Sequence, residues 1–165
     1  MVVPSASNAA QLDTVTVTGN ALSLYSNINI TAQSGTAGQN PSGHVSLNIG
    51  AAIIAGPVTS LMVTENVALI GIASNQFGPQ FVKVVDNGGH GADTICVWSG
   101  APPDCTMVLD GEVFDVTSQL SNGRAVVFDA PDLPTTKAEC KNGGWRDFEQ
   151  FKNQGACVSF VENGK

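Results

Sequence analysis

The sequence predicts a mainly β protein, an antiparallel β-sandwich or barrel with a small helical C-terminal tail pinned by a disulfide. Three observations predict it. Only 13% of the residues are charged, about half the usual share, so the chain lacks the Glu, Lys and Arg of long exposed helices. Val and Thr, which favour strands, and Gly and Asn, which favour turns, are abundant. Short segments of alternating apolar and polar residues recur between turn signals.

The length and composition fit one β domain with a short appendage. At 165 residues and 42% hydrophobic content, the chain is able to build a substantial core. We divide it into an N-terminal arm at residues 1–13, a β domain at 14–130 and a tail at 131–165. The arm is made of small, weakly patterned residues.

The first half of the β domain shows the strand period clearly. Residues 14–18 read Thr-Val-Thr-Val-Thr, and Gly19-Asn20 predicts a turn. Alternation resumes at residues 21–30, a Gly/Ser-rich loop is expected at 34–43, and residues 44–49 alternate again. Each apolar position in these segments is a candidate core residue.

The second half predicts three hairpins. Their strands are residues 58–63 with 67–72, 81–85 with 94–98, and 113–116 with 124–128, the last pair around a loop at Ser121-Asn122-Gly123. About nine short strands at regular spacing are typical of a sandwich or barrel.

The tail has a different pattern. A proline-punctuated linker at residues 129–134 precedes Thr136-Lys137-Ala138-Glu139, a capping box that predicts a helix start. We expect Gly143-Gly144 to interrupt this helix. Helical spacing then relates Trp145, Phe148 and Phe151, the run Asn153-Gln154-Gly155 is expected to end that helix, and residues 158–161 are expected to form a final strand.

The four cysteines form two local groups. Four cysteines allow three connectivities, and proximity favours Cys96–Cys105 and Cys140–Cys157. Zinc ligation is disfavoured because the chain has no Cys-x-x-Cys pair and its two histidines lie outside finger-like spacing. A catalytic thiol is disfavoured because no cysteine has an adjacent histidine. Disulfides indicate an oxidising, extracellular compartment.

Charge and hydropathy argue against two classes of partner. The net charge is −7, without a basic cluster, so we expect no nucleic-acid partner. The longest apolar run, near residues 67–73, is too short for a membrane span, so we expect no membrane insertion. The first residues lack the features of a signal peptide, and we interpret Met1 as a start placed before a mature secreted sequence. The alternative is a genuine cytosolic start.

Part of the tail resembles a known sequence motif. The run from Cys140 through Gly143-Gly144-Trp145, followed by Asn153-Gln154-Gly155 and Cys157, resembles a C-terminal motif of uncharacterised secreted bacterial proteins, mostly actinobacterial. More loosely, residues 56–94 resemble the post-COAP type of β domain on bacterial surface proteins. The resemblance implies a bacterial extracellular location and transfers no catalytic residue.

The glycine-rich loop at residues 86–93 is the strongest candidate site. Asp86, Asn87 and Asp93 supply the oxygen ligands that Ca²⁺ prefers, although the spacing is not that of an EF-hand. The alternative is a plain hairpin loop whose side chains bond their own backbone. We interpret His90 as an exposed loop residue. No other metal or cofactor is expected.

Two further groups of residues are weaker candidate sites. Trp98 and Trp145, with Tyr25, are candidates for stacking on sugar rings, against the alternative that both tryptophans pack internally. The acidic pair Asp110 and Glu112, with Asp115 nearby, is a candidate for glycoside hydrolysis, against the alternative of solvated turn residues.

We therefore expect a secreted, non-enzymatic structural or adhesion protein of the bacterial cell surface. Few lysines protect the sheet edges, so the 1–13 arm is a candidate for strand addition to a neighbouring copy, which would give a homo-oligomer or filament. The alternative for this arm is an ordinary flexible terminus. The alternative is an extracellular ligand-binding module for carbohydrate or Ca²⁺. A small secreted hydrolase is the third hypothesis.

Overall fold

The computed structural model describes residues 12–22, 24–35, 38–74, 76–99, 105–109, 112–131, 133–134, 136–148 and 150–163. The side chains of residues 106–109 and 112–114 lie outside the description. The chain divides into two compact units. One is Leu12–Asp129, and the other includes Ala130–Lys165.

The first unit is an antiparallel β-barrel. Its strands are β1 (Asp13–Ala21), β2 (Tyr25–Gly35), β3 (Gln39–Ile49), β4 (Ala52–Thr64), β5 (Val67–Ser74), β6 (Gly78–Val85), β7 (Thr94–Trp98), β8 (Thr106–Leu109), β9 (Glu112–Asp115) and β10 (Ser118–Phe128). Eight of them close in the order β1-β10-β7-β6-β5-β4-β3-β2, and β8 and β9 form a separate two-stranded sheet. The prediction of a mainly β sandwich or barrel is confirmed, in its barrel form.

The barrel interior is filled by the apolar half of the alternating strands. In β1, Val15 and Val17 are buried, while Thr16 and Thr18, which alternate with them, are exposed. The largest fully buried side chains of the barrel core are Ile30, Leu47, Ile70, Ile72 and Ile95. Each contributes about 1.5–3 kcal/mol relative to an exposed position, so the filled interior is the main stabilising element of this unit.

Two predicted turns are instead parts of continuous strands. β1 passes straight through Gly19, and β10 passes straight through Gly123, the two residues lying opposite each other in the β1–β10 pair. A Cβ on either glycine would overlap backbone atoms of the facing strand, and both have positive φ. Glycine here permits close approach of two strands, not a chain reversal.

Other predictions in the β domain need correction. β3 begins at Gln39, so the loop expected at residues 34–43 is much shorter. β9 pairs with β8, not with β10, because the chain after Cys105 folds into a local hairpin. The two hairpins that join β4 with β5 and β6 with β7 are confirmed. Asp13 belongs to β1 and is buried, whereas the rest of the predicted arm, except Leu12, lies outside the described residues.

The described part of the second unit contains three short helices. They are α1 (Lys137–Cys140), a 3₁₀ helix (Gly144–Asp147) and α2 (Gln154–Asn163). The capping box is confirmed: the N–H of Glu139 donates to the Thr136 hydroxyl, and the N–H of Thr136 donates to the Glu139 carboxylate. Gly143 has a φ of 94° and separates α1 from the 3₁₀ helix, as the sequence predicts.

The end of the tail differs from the prediction. Asn153 starts a helix, because its Oδ1 accepts a hydrogen bond from the N–H of Ala156 at 2.9 Å. Residues 158–161, expected to be a strand, are part of α2. The helical spacing of Trp145, Phe148 and Phe151 does not correspond to one helix, since only Trp145 lies in the 3₁₀ turn. Tertiary packing overrides the strand propensity of this Val-Ser-Phe-Val run.

Both expected disulfides are present. Cys96 bonds Cys105 and Cys140 bonds Cys157, with Cα–Cα distances of 5.8 and 5.6 Å. The second bond joins α1 to α2, and Phe151 packs between Phe148 and Phe160, with ring centroids 6.3 and 5.3 Å away. A disulfide and a small aromatic cluster thus hold the second unit together.

Candidate functional site

The loop between β6 and β7 uses its carboxylates to bind backbone N–H groups. Asp86 accepts hydrogen bonds from the N–H of Gly88 at 2.8 Å and from the N–H of Val127 at 3.1 Å. Asp93 accepts from the N–H of Asn87 and from the N–H of Ala125, both at 2.9 Å. All four carboxylate oxygens therefore have a backbone donor.

These hydrogen bonds complete the join between β7 and β10. β7 is short and pairs with β10 at only two positions, Ile95 with Ser118 and Thr94 with Gln119. Beyond them, the N–H groups of Ala125 and Val127 face no strand carbonyl on that side, and the carboxylates of Asp93 and Asp86 take that place. The loop therefore acts as a structural brace at the barrel seam.

The hydrogen bonds of Asp86 and Asp93 support a structural role for the loop. Ca²⁺ binding by the loop stays a prediction. Asn87 donates through its side-chain amide to the carbonyl of Ala92 at 2.6 Å, and His90 is exposed at the loop tip. Across the described residues, no group of three or more His, Cys, Asp and Glu is arranged to hold a metal ion. The local backbone bonding that we gave as the alternative is present at Asp86.

Trp98 packs beside the first disulfide on the outside of the barrel. It is half-buried against Cys96, Cys105 and Val116, and its ring stacks on Phe81 with centroids 5.6 Å apart and an interplanar angle of 19°. Its buried indole N–H has no hydrogen-bond partner among the residues that the structure describes.

The other two aromatic candidates have different surroundings. Trp145 is half-buried in the 3₁₀ helix, where the Arg146 guanidinium lies 5.2 Å from its ring centre. Tyr25 is only 3% exposed, so its ring is not available on the surface for stacking. The prediction that Tyr25 joins Trp98 and Trp145 in a stacking platform is therefore wrong, because Tyr25 belongs to the barrel core.

The Tyr25 hydroxyl links three parts of the barrel unit. It donates to the carbonyl of Val116 at 3.0 Å and accepts from the N–H of Val97 at 3.2 Å. Burial raises the pKa of this phenol, the hydrogen bond from Val97 partly opposes that shift, and the charge of Asp115 adds to it. The contacts and the pKa indicate a structural group that stays protonated.

The candidate carboxylates for hydrolysis are only partly described. Asp110 lies outside the described residues, and Glu112 is described by its backbone alone. Asp115 is exposed, and hydrogen bonds from the side chain and backbone of Thr117 lower its pKa. This arrangement is an ordinary turn around a solvated carboxylate.

A polar surface without acidic, Lys or Arg side chains covers one side of the barrel. The outward side chains of β1, β2 and β3 form three rows across the strands, given by the pairings Thr14–Gln33–Ser42, Thr16–Thr31–His44 and Thr18–Asn29–Ser46. Seven of these nine residues are exposed and two, Thr14 and Ser46, are half-buried. We call this set the Thr face.

A shallow groove of about 270 Å³ lies on the Thr face. The outward residues that line it are Thr14, Thr16, Thr31, Gln33 and Ser42, together with Gly43, which adds no side chain. This surface is not among the sites that the sequence predicts. The Thr-Val-Thr-Val-Thr run predicts that the threonines point outward, but it does not identify the neighbouring strands.

Comparison with protein-family models, with curated proteins and with solved structures found no match. Among the described residues, no helix combines the length and the apolar character needed to cross a membrane. The two disulfides are typical of extracellular proteins.

Proposed function

We propose that this protein is a secreted, non-enzymatic structural or adhesion protein of the bacterial cell surface. The observation that carries the proposal is a closed barrel, filled with aliphatic side chains, in a chain that has two disulfides. Disulfides persist outside the cytoplasm, and a filled barrel is a rigid support for an exposed surface.

The acidic loop residues support a structural function. The carboxylates of Asp86 and Asp93 hold the backbone of β10, and therefore have a stabilising task without substrate or metal. The bacterial location rests on the resemblance of the tail motif around Cys140, Trp145 and Cys157. Its disulfide is formed within that motif.

Self-assembly by strand addition is a narrower form of the proposal. Each of the eight barrel strands has a neighbour on both sides, so a donated strand would need another edge. The outer edges of the β8–β9 sheet are the acceptor that we propose. The donor would be the N-terminal segment before β1.

Electron microscopy of the native material tests assembly, and surface labelling of intact cells tests location. We expect the protein to be accessible to an external protease or antibody on intact cells. For the assembling form, deletion of residues 1–11, which leaves β1 intact, should abolish filaments or large oligomers. Exclusive recovery from the cytoplasm would overturn the proposed function, whereas a monomer at high concentration would overturn only the assembly.

A ligand-binding module is the alternative, and the Thr face is the observation that favours carbohydrate among its ligands. Binding and surface adhesion are compatible, because an adhesion protein needs a surface that recognises something. A Ca²⁺ ligand at Asp86, Asn87 and Asp93 stays a separate proposal, tested by calcium titration of the melting temperature. We rank a small hydrolase third.

A further inference from the structure

We propose that the Thr face binds a neutral polysaccharide chain, with the groove at Thr14, Thr16, Thr31, Gln33 and Ser42 as its centre. The inference rests on the proposed adhesive function and specifies the ligand class and the surface. Four properties of the face argue for this ligand.

The first property is the absence of acidic, Lys and Arg side chains from its nine positions. The whole chain has 21 such residues, 7 basic and 14 acidic, and the nearest one across the rows is Arg124, which pairs with Thr18 from β10. Within its nine positions the face therefore offers neither Lys nor Arg to a phosphate or uronate polymer. It is compatible with a ligand whose polar groups are neutral hydroxyls.

The second property is the kind of hydrogen-bonding group. Hydroxyls of Thr and Ser both donate and accept, and the amides of Asn29 and Gln33 do the same through two atoms. Sugar hydroxyls also do both, so each row can satisfy them in either direction. Strands lie about 4.8 Å apart, so neighbouring residues within a row offer a closely spaced array to an extended chain that crosses the strands.

The third property is rigidity. Four of the nine residues are threonines, namely Thr14, Thr16, Thr18 and Thr31, and a β-branched side chain on a strand has few χ1 states. Ordering such side chains on binding costs less entropy than ordering long flexible ones. The array is therefore largely organised before the ligand arrives.

The fourth property is an apolar flank beside the groove. On β10, Val126 lies opposite Thr16 and Phe128 lies opposite Thr14, and they are 39% and 40% exposed. The C–H faces of a sugar ring pack well on an aromatic ring. The groove, at about 270 Å³, is smaller than typical enclosed small-molecule pockets, which suits a segment of an extended chain lying along the surface.

The experiment measures binding to soluble neutral glucan, mannan and galactan, with polygalacturonate as the anionic comparison. We expect at least one neutral polymer to bind with an affinity that changes less than twofold between 50 mM and 500 mM salt. Amide shift perturbations from that polymer should cluster in β1, β2 and β3 and at Phe128. Perturbations confined to another region, or no binding by any neutral polymer at millimolar sugar, would overturn the inference.

Matched variants provide a second test of the inference. The triple variant Thr16→Ala, Thr31→Ala, Gln33→Ala should bind at least tenfold more weakly, and Phe128→Ala at least threefold. Thr64→Ala is the control, because Thr64 is an exposed strand threonine on β4, away from the Thr face. Unchanged binding by the triple variant would overturn the inference. If that variant does not fold, the shift mapping on the wild-type protein decides alone.

Attachment to intact cells separates this inference from the proposed function. If the triple variant attaches to cells as well as the wild-type protein does, the polysaccharide inference is overturned and the adhesive function stands. Wild-type protein recovered only from the cytoplasm would overturn the proposed function, whatever the polymers show.

Discussion

Tyr25 shows how one buried polar side chain holds several segments of the barrel unit. Its hydroxyl bonds β7 through the N–H of Val97 and the segment before β10 through the carbonyl of Val116. Ionisation would remove the donated bond and leave a negative charge in an apolar interior. The protonation state of the phenol is therefore coupled to the free energy of unfolding.

The raised pKa of Tyr25 predicts alkaline instability. Because the folded-state pKa lies above the unfolded value of 10.0, this contribution is fully present below pH 10.0 and is lost as the pH rises through the folded pKa. Urea denaturation at pH 7 to 12 should show the loss. Tyr25→Phe should lower the free energy of unfolding at pH 7 by about 1–3 kcal/mol and flatten the decline above pH 10, and an equally steep decline in this variant would contradict the assignment.

Asp93 offers a test of the structural brace. Asp93→Asn should lower the free energy of unfolding by about 1–3 kcal/mol, because an amide N–H would face the N–H of either Asn87 or Ala125. Urea denaturation with EDTA or with Ca²⁺ measures this loss. The control Glu65→Gln removes one acidic charge from an exposed turn side chain and should change stability by less than about 0.5 kcal/mol.

The measurements with EDTA and with Ca²⁺ also distinguish a structural brace from a calcium site. A brace alone gives the same loss for Asp93→Asn with EDTA and with Ca²⁺. A calcium site at Asp86, Asn87 and Asp93 would instead raise the melting temperature of the wild-type protein with Ca²⁺ and leave the variant unaffected.

At the scale of the element, the facing glycines Gly19 and Gly123 allow β1 and β10 to stay paired along nearly the whole of β1. Neither position has space for a Cβ, since each would overlap the carbonyl of the facing strand. The chain therefore has a glycine inside each of these two strands, where glycine would otherwise weaken them.

Alanine substitution tests this role of Gly19. Gly19→Ala should cost more than about 2 kcal/mol, because a steric overlap is added to an unfavourable φ of 127°. The matched control is Gly88→Ala, which has a φ of 57° but no atom within 4 Å of the added Cβ, and should cost about 1–2 kcal/mol. Equal losses in chemical denaturation would show that crowding at the β1–β10 pair is unimportant.

The disulfide between α1 and α2 compensates for the small size of these helices. α1 has four residues and α2 has ten, too few for stable isolated helices. The salt bridge of Lys137 with Glu162 is exposed and contributes little.

Removing this disulfide should release α2. Cys140→Ser with Cys157→Ser should reduce amide exchange protection in α2 by about 100-fold, in line with about 3 kcal/mol for a loop of this length. Hydrogen exchange measured by NMR checks this. The control Lys137→Ala, which removes only the exposed salt bridge, should change protection less than threefold.

At the scale of the whole molecule, the barrel closes by pairing its two ends. Thr14 of β1 lies opposite Phe128 of β10, so the ring is complete only after nearly the whole unit has folded. Folding of such a non-local topology is slow, typically milliseconds to seconds. Stopped-flow refolding with intact disulfides should give a main phase in that range, and folding within microseconds would contradict ring closure as the limiting step.

The sequence by itself determined the local features of this protein. Alternating apolar residues identified residues 14–18 of β1, 25–30 of β2 and 44–49 of β3, because side-chain direction along a strand depends only on neighbouring residues. The same holds for the capping box at Thr136 and Glu139 and for both disulfides, whose partners lie 9 and 17 residues apart.

Only the tertiary structure decided the features that join distant residues. They are the closure of β1 on β10, the passage of both strands through glycine, the brace from Asp86 and Asp93 to β10, and the grouping of the Thr face. Local patterns tell which side chains point outward. They do not tell which strand lies next to them, because the choice of partner depends on packing and loop closure across the whole chain.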